Sequence, residues 1–331
     1  MNLIIPMAGK GTRLRPQTLT TPKPLLEIAG TTIIQRIVDL VVKESSIKIN
    51  KIGFILEKQD QSIEKMLQNI VQKNNLSHEI YYQGLPLGTA HALYSAKELL
   101  MGPVLIVFAD TIFQTKLNFP SESDGCIFVK EVEDPSSYGV VLTDTEGYIT
   151  EFVEKPKKPI SNLAIVGIYY FKNGQALQHE IKYILDKNII EKGEYQLTTA
   201  LENLKNKNLK FTPHKIQKWL DFGTPQNLLS SHKELLTTQK IKYQDYPNTI
   251  IKPPCFIDSG VEIKNSKIGP NVSIGKDTIV SSSEISDTII QSNCNINNAN
   301  LKNSIIGKFV DYDQNFTEIN IGDYSTLKKE K

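Results

Sequence analysis

The first residues suited to chemistry lie close to the start of the chain. The apolar run NLIIPMAG leads into Gly9, Gly11 and Arg13, and Lys23 follows in TPKPLL. Glycines let backbone N–H groups close on an anion, and guanidinium and ammonium groups are strong donors to phosphate oxygens. Neither familiar phosphate fingerprint fits. Counted from Gly9, Leu14-Arg15-Pro16 stands where a Walker A loop needs Gly-Lys-Ser/Thr, and a dinucleotide loop needs its third glycine at Leu14. A plain flexible turn is the competing reading. Two carboxylates also stand at strand ends, Asp110 after VLIVFA and Asp221 in WLDFGTP. Hard oxygens of this kind are what Mg²⁺ takes alongside phosphates and water. For either residue alone, a turn or helix-cap role competes.

The elements that must position these groups change along the chain. NLIIPMAG, KIGFIL and GPVLIVFAD read as buried strands, and HEIYYQ as extended. TTIIQRIVDLVVKES, QSIEKMLQNIVQK and TAHALYSAKELL read as helices between them. Apolar strands alternating with helices predict a mostly parallel sheet covered on both faces, with ligands beyond the strands' carboxyl ends. After Asp110, the runs GCIFVKEV, YGVVLTD, YITEFVEKP and LAIVGIYYF predict antiparallel strands. Two helices, a strand at KFTPHKI and a strand-to-helix step at KWLDFGTPQNLL follow. Residues 237–254 are polar and proline-punctuated, which suggests a linker. Beyond it Ile268, Ile274 and Val280 recur every six residues, and Ile285, Ile290, Ile296, Leu301 and Ile306 continue the pattern. That is the mark of hexapeptide repeats in a parallel β-helix, here about three to four coils. The expected domains are 1–236, a linker, and 255–331 ending in a charged tail.

Composition narrows the partners. Lys and Arg (38) nearly balance Asp and Glu (36), so no basic face is expected for nucleic acid. Cys126, Cys255 and Cys294 are too far apart for metal-ligand spacing and read as free thiols. No apolar run reaches membrane-spanning length, so no membrane partner is expected and the cytoplasm is the default location.

The motif AGKGTRLRP…PKPLL closely resembles the signature loop of the sugar-1-phosphate nucleotidylyltransferases. QGLPLGTAHAL, FAD, YGVV, FVEKP, AIVGIYYF, GEYQLTTAL and WLDFGTP agree in order and spacing over roughly residues 1–235. Members of the glucose-1-phosphate thymidylyltransferase and uridylyltransferase type with a hexapeptide tail account for the whole chain. The fold implied is α/β: a mixed, mostly parallel Rossmann-like sheet plus a C-terminal left-handed parallel β-helix.

The resemblance implies attack of a sugar-1-phosphate on the α-phosphorus of a nucleoside triphosphate. Arg13, Lys23 and Asp110 are its catalytic residues, and Asp110 and Asp221 its Mg²⁺ ligands. Ala8, Gly9, Gly11, Thr12, Gln83, Gly88 and Thr89 fall at its nucleotide-binding positions. The Gln83 amide offers a donor and an acceptor to a pyrimidine's imide edge. Thr89 also reads as a helix N-cap, and His91 as a packing residue. Gly139, Glu154, Lys155 and Gly167 fall in the sugar-phosphate pocket. Glu154 and Lys155, adjacent on a strand, are expected to diverge, one to sugar hydroxyls and one to phosphate. Arg15 and Tyr195 are weaker candidates. Lys10, Ala109 and Thr199 depart from the family's usual residues, and Thr199 leaves sugar selectivity open.

The substrates expected are dTTP or UTP with glucose-1-phosphate. A mannose- or heptose-1-phosphate guanylyltransferase is the alternative, and a non-catalytic regulatory subunit is an alternative of another class. No histidine lies in the repeats, so acyl transfer is not expected there. The β-helix is instead expected to build a homo-oligomer, and a chain cut near Asp245 to keep nucleotidyl transfer.

Overall fold

The structure, a computed structural model, describes residues 1–238, 243–313 and 319–328. Residues 239–242 of the expected linker and 329–331 of the expected charged tail lie outside it. The chain separates into two compact units. One joins Met1–Gly9 to Ile37–Trp219, and the other joins Lys10–Arg36 to Leu220–Lys331.

The first unit carries a nine-stranded mixed sheet. Asn2–Pro6 pairs in parallel with Lys51–Leu56 on one side and Val104–Val107 on the other. Ser77–Tyr82 adds a fourth parallel strand beside Lys51–Leu56. Leu3, Ile4, Ile5 and the whole of Val104–Val107 are fully buried, as expected where both sheet faces are covered. The antiparallel half is built on Leu163–Phe171, which pairs with Val104–Val107, Gly125–Glu131 and Gly139–Thr143. Ile149–Glu154 pairs with Gly139–Thr143, and Phe211–Lys215 runs parallel to Gly125–Glu131. Helices Thr89–Ser95, Gly174–Asp186 and Leu197–Asn206 contribute Leu93, Ile181 and Leu201 to one core with Ile106 and Phe171. Truncating one of these to alanine costs about 2–5 kcal/mol.

In the second unit the chain past residue 249 climbs through three parallel sheets. Ile268, Ile274 and Val280 occupy successive sheets, so the six-residue spacing is one step round the circuit. Ile251, Ile268, Ile285 and Leu301 then stand above one another in one sheet. Ile257, Ile274, Ile290, Ile306 and Ile321 do so in another. The turns between strands use Asn265, Asn271, Asp277, Asp287, Asn293, Asn298 and Asn303 at positive φ. Asn and Asp tolerate that left-handed conformation better than other residues with a Cβ.

Two expectations are corrected here. The stack holds four, five and five strands among the described residues, more than three to four coils. It also begins earlier, because Ile250–Ile251, read as linker, already pairs with Lys267–Ile268. Ile251, Ile257 and Ile263 already keep the spacing at the start, where Pro247, Pro253 and Pro254 read as a linker, and Tyr312 takes an aliphatic's place near the far end.

Candidate active site

In the first unit four parallel strands bring their carboxyl ends to one edge. Asn2–Pro6 runs out into Ala8 and Gly9, with Met7 N still donating to Ile55 O at 2.8 Å. Ala8 is buried and Gly9 exposed, and a Cβ on Gly9 would meet nothing within 4 Å. Ser77–Tyr82 runs into Gln83, whose N donates to Leu56 O at 2.8 Å. Val104–Val107 runs through Phe108 and the buried Ala109 to Asp110. Ala8, Gly9, Gln83 and Asp110 therefore share the edge where ligands of parallel sheets bind.

The Gln83 side chain has a fixed orientation. Its Nε2 donates to Gly88 O at 3.1 Å and lies 3.2 Å from His91 Nδ1. A carbonyl oxygen can only accept, so it holds the amide nitrogen inward. Burial lowers the His91 pKa, and the tautomer with its proton on Nε2 accepts through Nδ1. That leaves the acceptor oxygen as the end of the Gln83 amide not taken up by Gly88 and His91. Gly88 has φ 121°, and a Cβ there would stand 2.5 Å from Tyr195 O, so the position requires glycine.

Glu154 ends its strand opposite Gly139. A Cβ on Gly139 would approach Glu154 Oε2 to 3.1 Å, and Thr198 Oγ1 donates to the same oxygen at 3.2 Å. Gly167, at φ 80°, accepts Phe108 N at 2.9 Å, beside the strand that ends in Asp110. Burial, then the Glu154 and Asp110 charges, push the Tyr169 hydroxyl pKa strongly upward. Both acids thus lie within electrostatic reach of one phenol.

In the second unit the opening loop closes on itself. Thr12–Leu14 and Lys23–Leu25 form 3₁₀ turns. Gly11, at φ 58°, accepts Thr18 Oγ1 at 2.7 Å and Leu14 N at 2.9 Å. A Cβ on Gly11 would lie 3.3 Å from Lys23 Cβ, so the buried Lys23 is drawn against it. Thr12, Arg13 and Arg15 are exposed. Asp221 Oδ1 accepts Gly223 N at 2.8 Å, and Oδ2 accepts Asn227 Nδ2 at 2.6 Å. A Cβ on Gly223 would stand 3.0 Å from Asp221 Oδ1 and 3.5 Å from Arg13 Nη2, so a cation and a carboxylate flank this glycine. Each Asp221 oxygen keeps acceptor capacity, which suits a hard cation. No cluster of three or more His, Cys, Asp or Glu exists among the described residues. A metal held here would take its other oxygens from substrate and water, as Mg²⁺ does.

Residues 3–238 match the family model described as nucleotidyl transferase. The chain belongs to that family. The nucleotidyltransferase is 33% identical over 340 residues to the bifunctional protein GlmU of Methanococcus aeolicus, covering 93% of this chain and 78% of that one. It is 27% identical to the low-salt glycan biosynthesis nucleotidyltransferase Agl11 of Haloferax volcanii, covering 93% and 92%. With the mannose-1-phosphate guanylyltransferase catalytic subunit beta of Drosophila melanogaster it shares 30%, covering 82% and 70%. In structure it resembles a UDP-glucose pyrophosphorylase complexed with UDP-glucose, at TM-score 0.57 and 20% identity. That match covers 72% of this chain and 99% of the other, and it supports the fold.

Within the transferase several sequence expectations change. Thr89 is the first residue of its helix, with Gly88 at the cap position. Its Oγ1 instead accepts Leu197 N at 2.9 Å and caps helix Leu197–Asn206. Glu154 and Lys155 do not diverge as strand neighbours. The strand ends at Glu154, Lys155 turns to φ 42°, and its Nζ lies 3.5 Å from Glu154 Oε1. Thr198, not Thr199, touches Glu154, while Thr199 donates to Glu191. Tyr195 stacks near His91 and donates to Asn188 at 2.6 Å. Asn227, Thr198 and Lys192, which donates to both Glu154 O and Lys155 O, were not legible beforehand. Asn227 carried the one readable signal, a polar amide in the first turn after Asp221. No described helix is long and apolar enough to cross a membrane.

Proposed function

We propose that the chain transfers a nucleotidyl group from dTTP or UTP to a sugar-1-phosphate, with glucose-1-phosphate preferred. A phosphate oxygen of the sugar-1-phosphate forms a bond to the α-phosphorus, and the bond to the bridging oxygen of the β-phosphate breaks, releasing pyrophosphate. Both substrates are polyanions, so catalysis is mainly alignment and charge stabilisation. The observation carrying this reading is the shared strand edge at which Gly9, Gln83 and Asp110 emerge.

Each residue then has a task. Ala8, Gly9, Gly11 and Thr12 offer backbone to the triphosphate, and Arg13 and Lys23 grip it and stabilise the departing pyrophosphate. Gln83 accepts the imide N–H of the base, with Gly88 beside it. Gly139 and Gly167 leave room for the sugar, Glu154 accepts from its hydroxyls, and Lys155 meets its phosphate. Asp110 and Asp221 are each proposed as Mg²⁺ ligands. When bound, the ion would shield phosphate charge at the reacting centre.

The domain reading is 1–236 for transfer, then a linker, then a left-handed parallel β-helix that begins with Ile250–Ile251 and supports a homo-oligomer. The six-residue spacing and the three stacked sheets favour that β-helix. A second reading, GTP with mannose-1-phosphate, is favoured by the Drosophila relative. Pyrophosphate release across a grid of nucleoside triphosphates and sugar-1-phosphates decides between them. No release with any pair would overturn both.

A further inference from the structure

One buried polar side chain in the opening loop is left without a task by the chemistry above. Gln17 is 3% exposed and sits between the two 3₁₀ turns. Its Nε2 donates to Ile321 O at 2.7 Å and to Asn320 Oδ1 at 2.8 Å, and lies 3.3 Å from Ile305 O. Ile305–Ile306 and Asn320–Ile321 are neighbouring rungs of one stacked sheet. A single amide therefore spans two coils.

Its neighbours fasten the same patch. A Cβ on Gly322 would stand 3.0 Å from Pro16 Cβ, so the missing side chain lets the loop seat closely. Thr20 Oγ1 donates to Asp323. Further along, Gln291 Nε2 donates to Glu27 O at 2.8 Å. The next residue after Gln17 faces the other way, because Thr18 Oγ1 holds Gly11 O at 2.7 Å. Gly11 in turn sets the turn carrying Arg13 and the approach of Lys23. One peptide bond separates the side chain anchored to the stack from the one that closes the phosphate loop.

We propose that Gln17 is a positioning residue through which the outer coils of the strand stack hold the Gly11–Lys23 loop in its triphosphate-gripping shape. This rests on the reading of that loop as the triphosphate site. It also bears on the expectation that a chain cut near Asp245 keeps nucleotidyl transfer, since the cut removes Ile305, Asn320 and Ile321, the acceptors of Gln17 Nε2.

Two variants test it from opposite sides. Gln17→Leu keeps the volume and removes the donor. Gly322→Ala, at a glycine without positive φ, presses on Pro16 and deletes no hydrogen bond. For both, KM for the nucleoside triphosphate should rise, in Gln17→Leu by about tenfold, the equivalent of one lost buried hydrogen bond. KM for the sugar-1-phosphate should stay within about twofold, because one substrate's grip alone is loosened. Hydrogen exchange should quicken in residues 11–25 and not in the sheet of the first unit. Gln17→Asn, which keeps the amide on a shorter stem, should recover part of the affinity. Equal rises in both KM values, or unchanged exchange in residues 11–25 of a folded Gln17→Leu, would overturn the proposal. Exchange needs no turnover. A wild-type chain inactive on every substrate pair would therefore overturn the nucleotidyl-transfer reading, while the exchange result still decides whether Gln17 holds the loop.

Discussion

The side-chain nitrogen of Gln83 donates to the carbonyl oxygen of Gly88 at 3.1 Å, and under the proposed function that bond decides which end of the amide a base meets. The outward oxygen can only accept. Bases with a ring N–H at the pairing edge (uracil, thymine and guanine) satisfy it, whereas the ring nitrogen of cytosine or adenine opposes it. UTP, dTTP and GTP should therefore exceed CTP and ATP in kcat/KM by about ten- to a hundredfold, as for a buried acceptor left unpaired. Gln83→Ala should flatten the ranking. A wild-type preference for CTP or ATP would refute the assigned orientation.

Asp110→Asn and Asp221→Asn should each lower kcat on the order of a hundredfold or more, since metal charge stabilisation is worth several kcal/mol. EDTA should do the same to wild type and Mg²⁺ should restore it. Asn227→Ala should give a smaller loss, because it frees Asp221 Oδ2 to rotate without removing a charge. Full turnover in EDTA would rule out the metal.

Lys155 is held at φ 42° beside the strand end, where a residue with a Cβ is strained. Lys155→Gly should be more stable than Lys155→Ala by about 1 kcal/mol, measured by urea unfolding. Both should raise KM for the sugar-1-phosphate more than KM for the nucleotide. The reverse order of effects would move Lys155 out of the sugar-phosphate pocket.

His232 is fully buried in helix Pro225–Thr237, 2.5 Å from Ser273 Oγ, and burial lowers its pKa from 6.5 to about 3. The fold holds it neutral, while the unfolded chain binds a proton below the ordinary value. Stability is therefore lost as pH falls below about 6.5, by about 1.4 kcal/mol per unit, until pH approaches 3. In His232→Gln this loss should disappear, so the stability difference between wild type and variant should shrink on acidification. A pH-independent difference would show that the imidazole titrates normally.

The same histidine bears on acyl transfer. It meets the strand stack at Ser273, and it is shut away from solvent. A general base must reach its substrate's proton. Incubation with acetyl-coenzyme A and a hexosamine-1-phosphate should release no free thiol. Thiol release would assign the stack a second activity.

Much of this protein was legible in its residues because the signals were local. Apolar runs such as VLIV and the glycines of GKGTR report strand burial and backbone freedom within a few residues. The spacing of Ile268, Ile274 and Val280 reports the stack, since each rung repeats the same requirement. What only the tertiary structure decided concerns partners far apart in the chain. Thr89 caps a helix that begins at Leu197, which no neighbouring residue announces. Lys155 turns to φ 42° although its N–H still donates to Tyr138 O at 3.0 Å across the neighbouring strand, and that turn ends the alternation that predicted its direction. The outward face of Gln83 depends on whether Gly88 and His91 take its nitrogen, a matter of placement and not of residue type. Gln17 reads as an ordinary surface glutamine until Asn320 and Ile321 fold against it. Local propensity sets elements and repeats, but the direction of a side chain follows from which distant donors and acceptors the fold brings within about 3 Å.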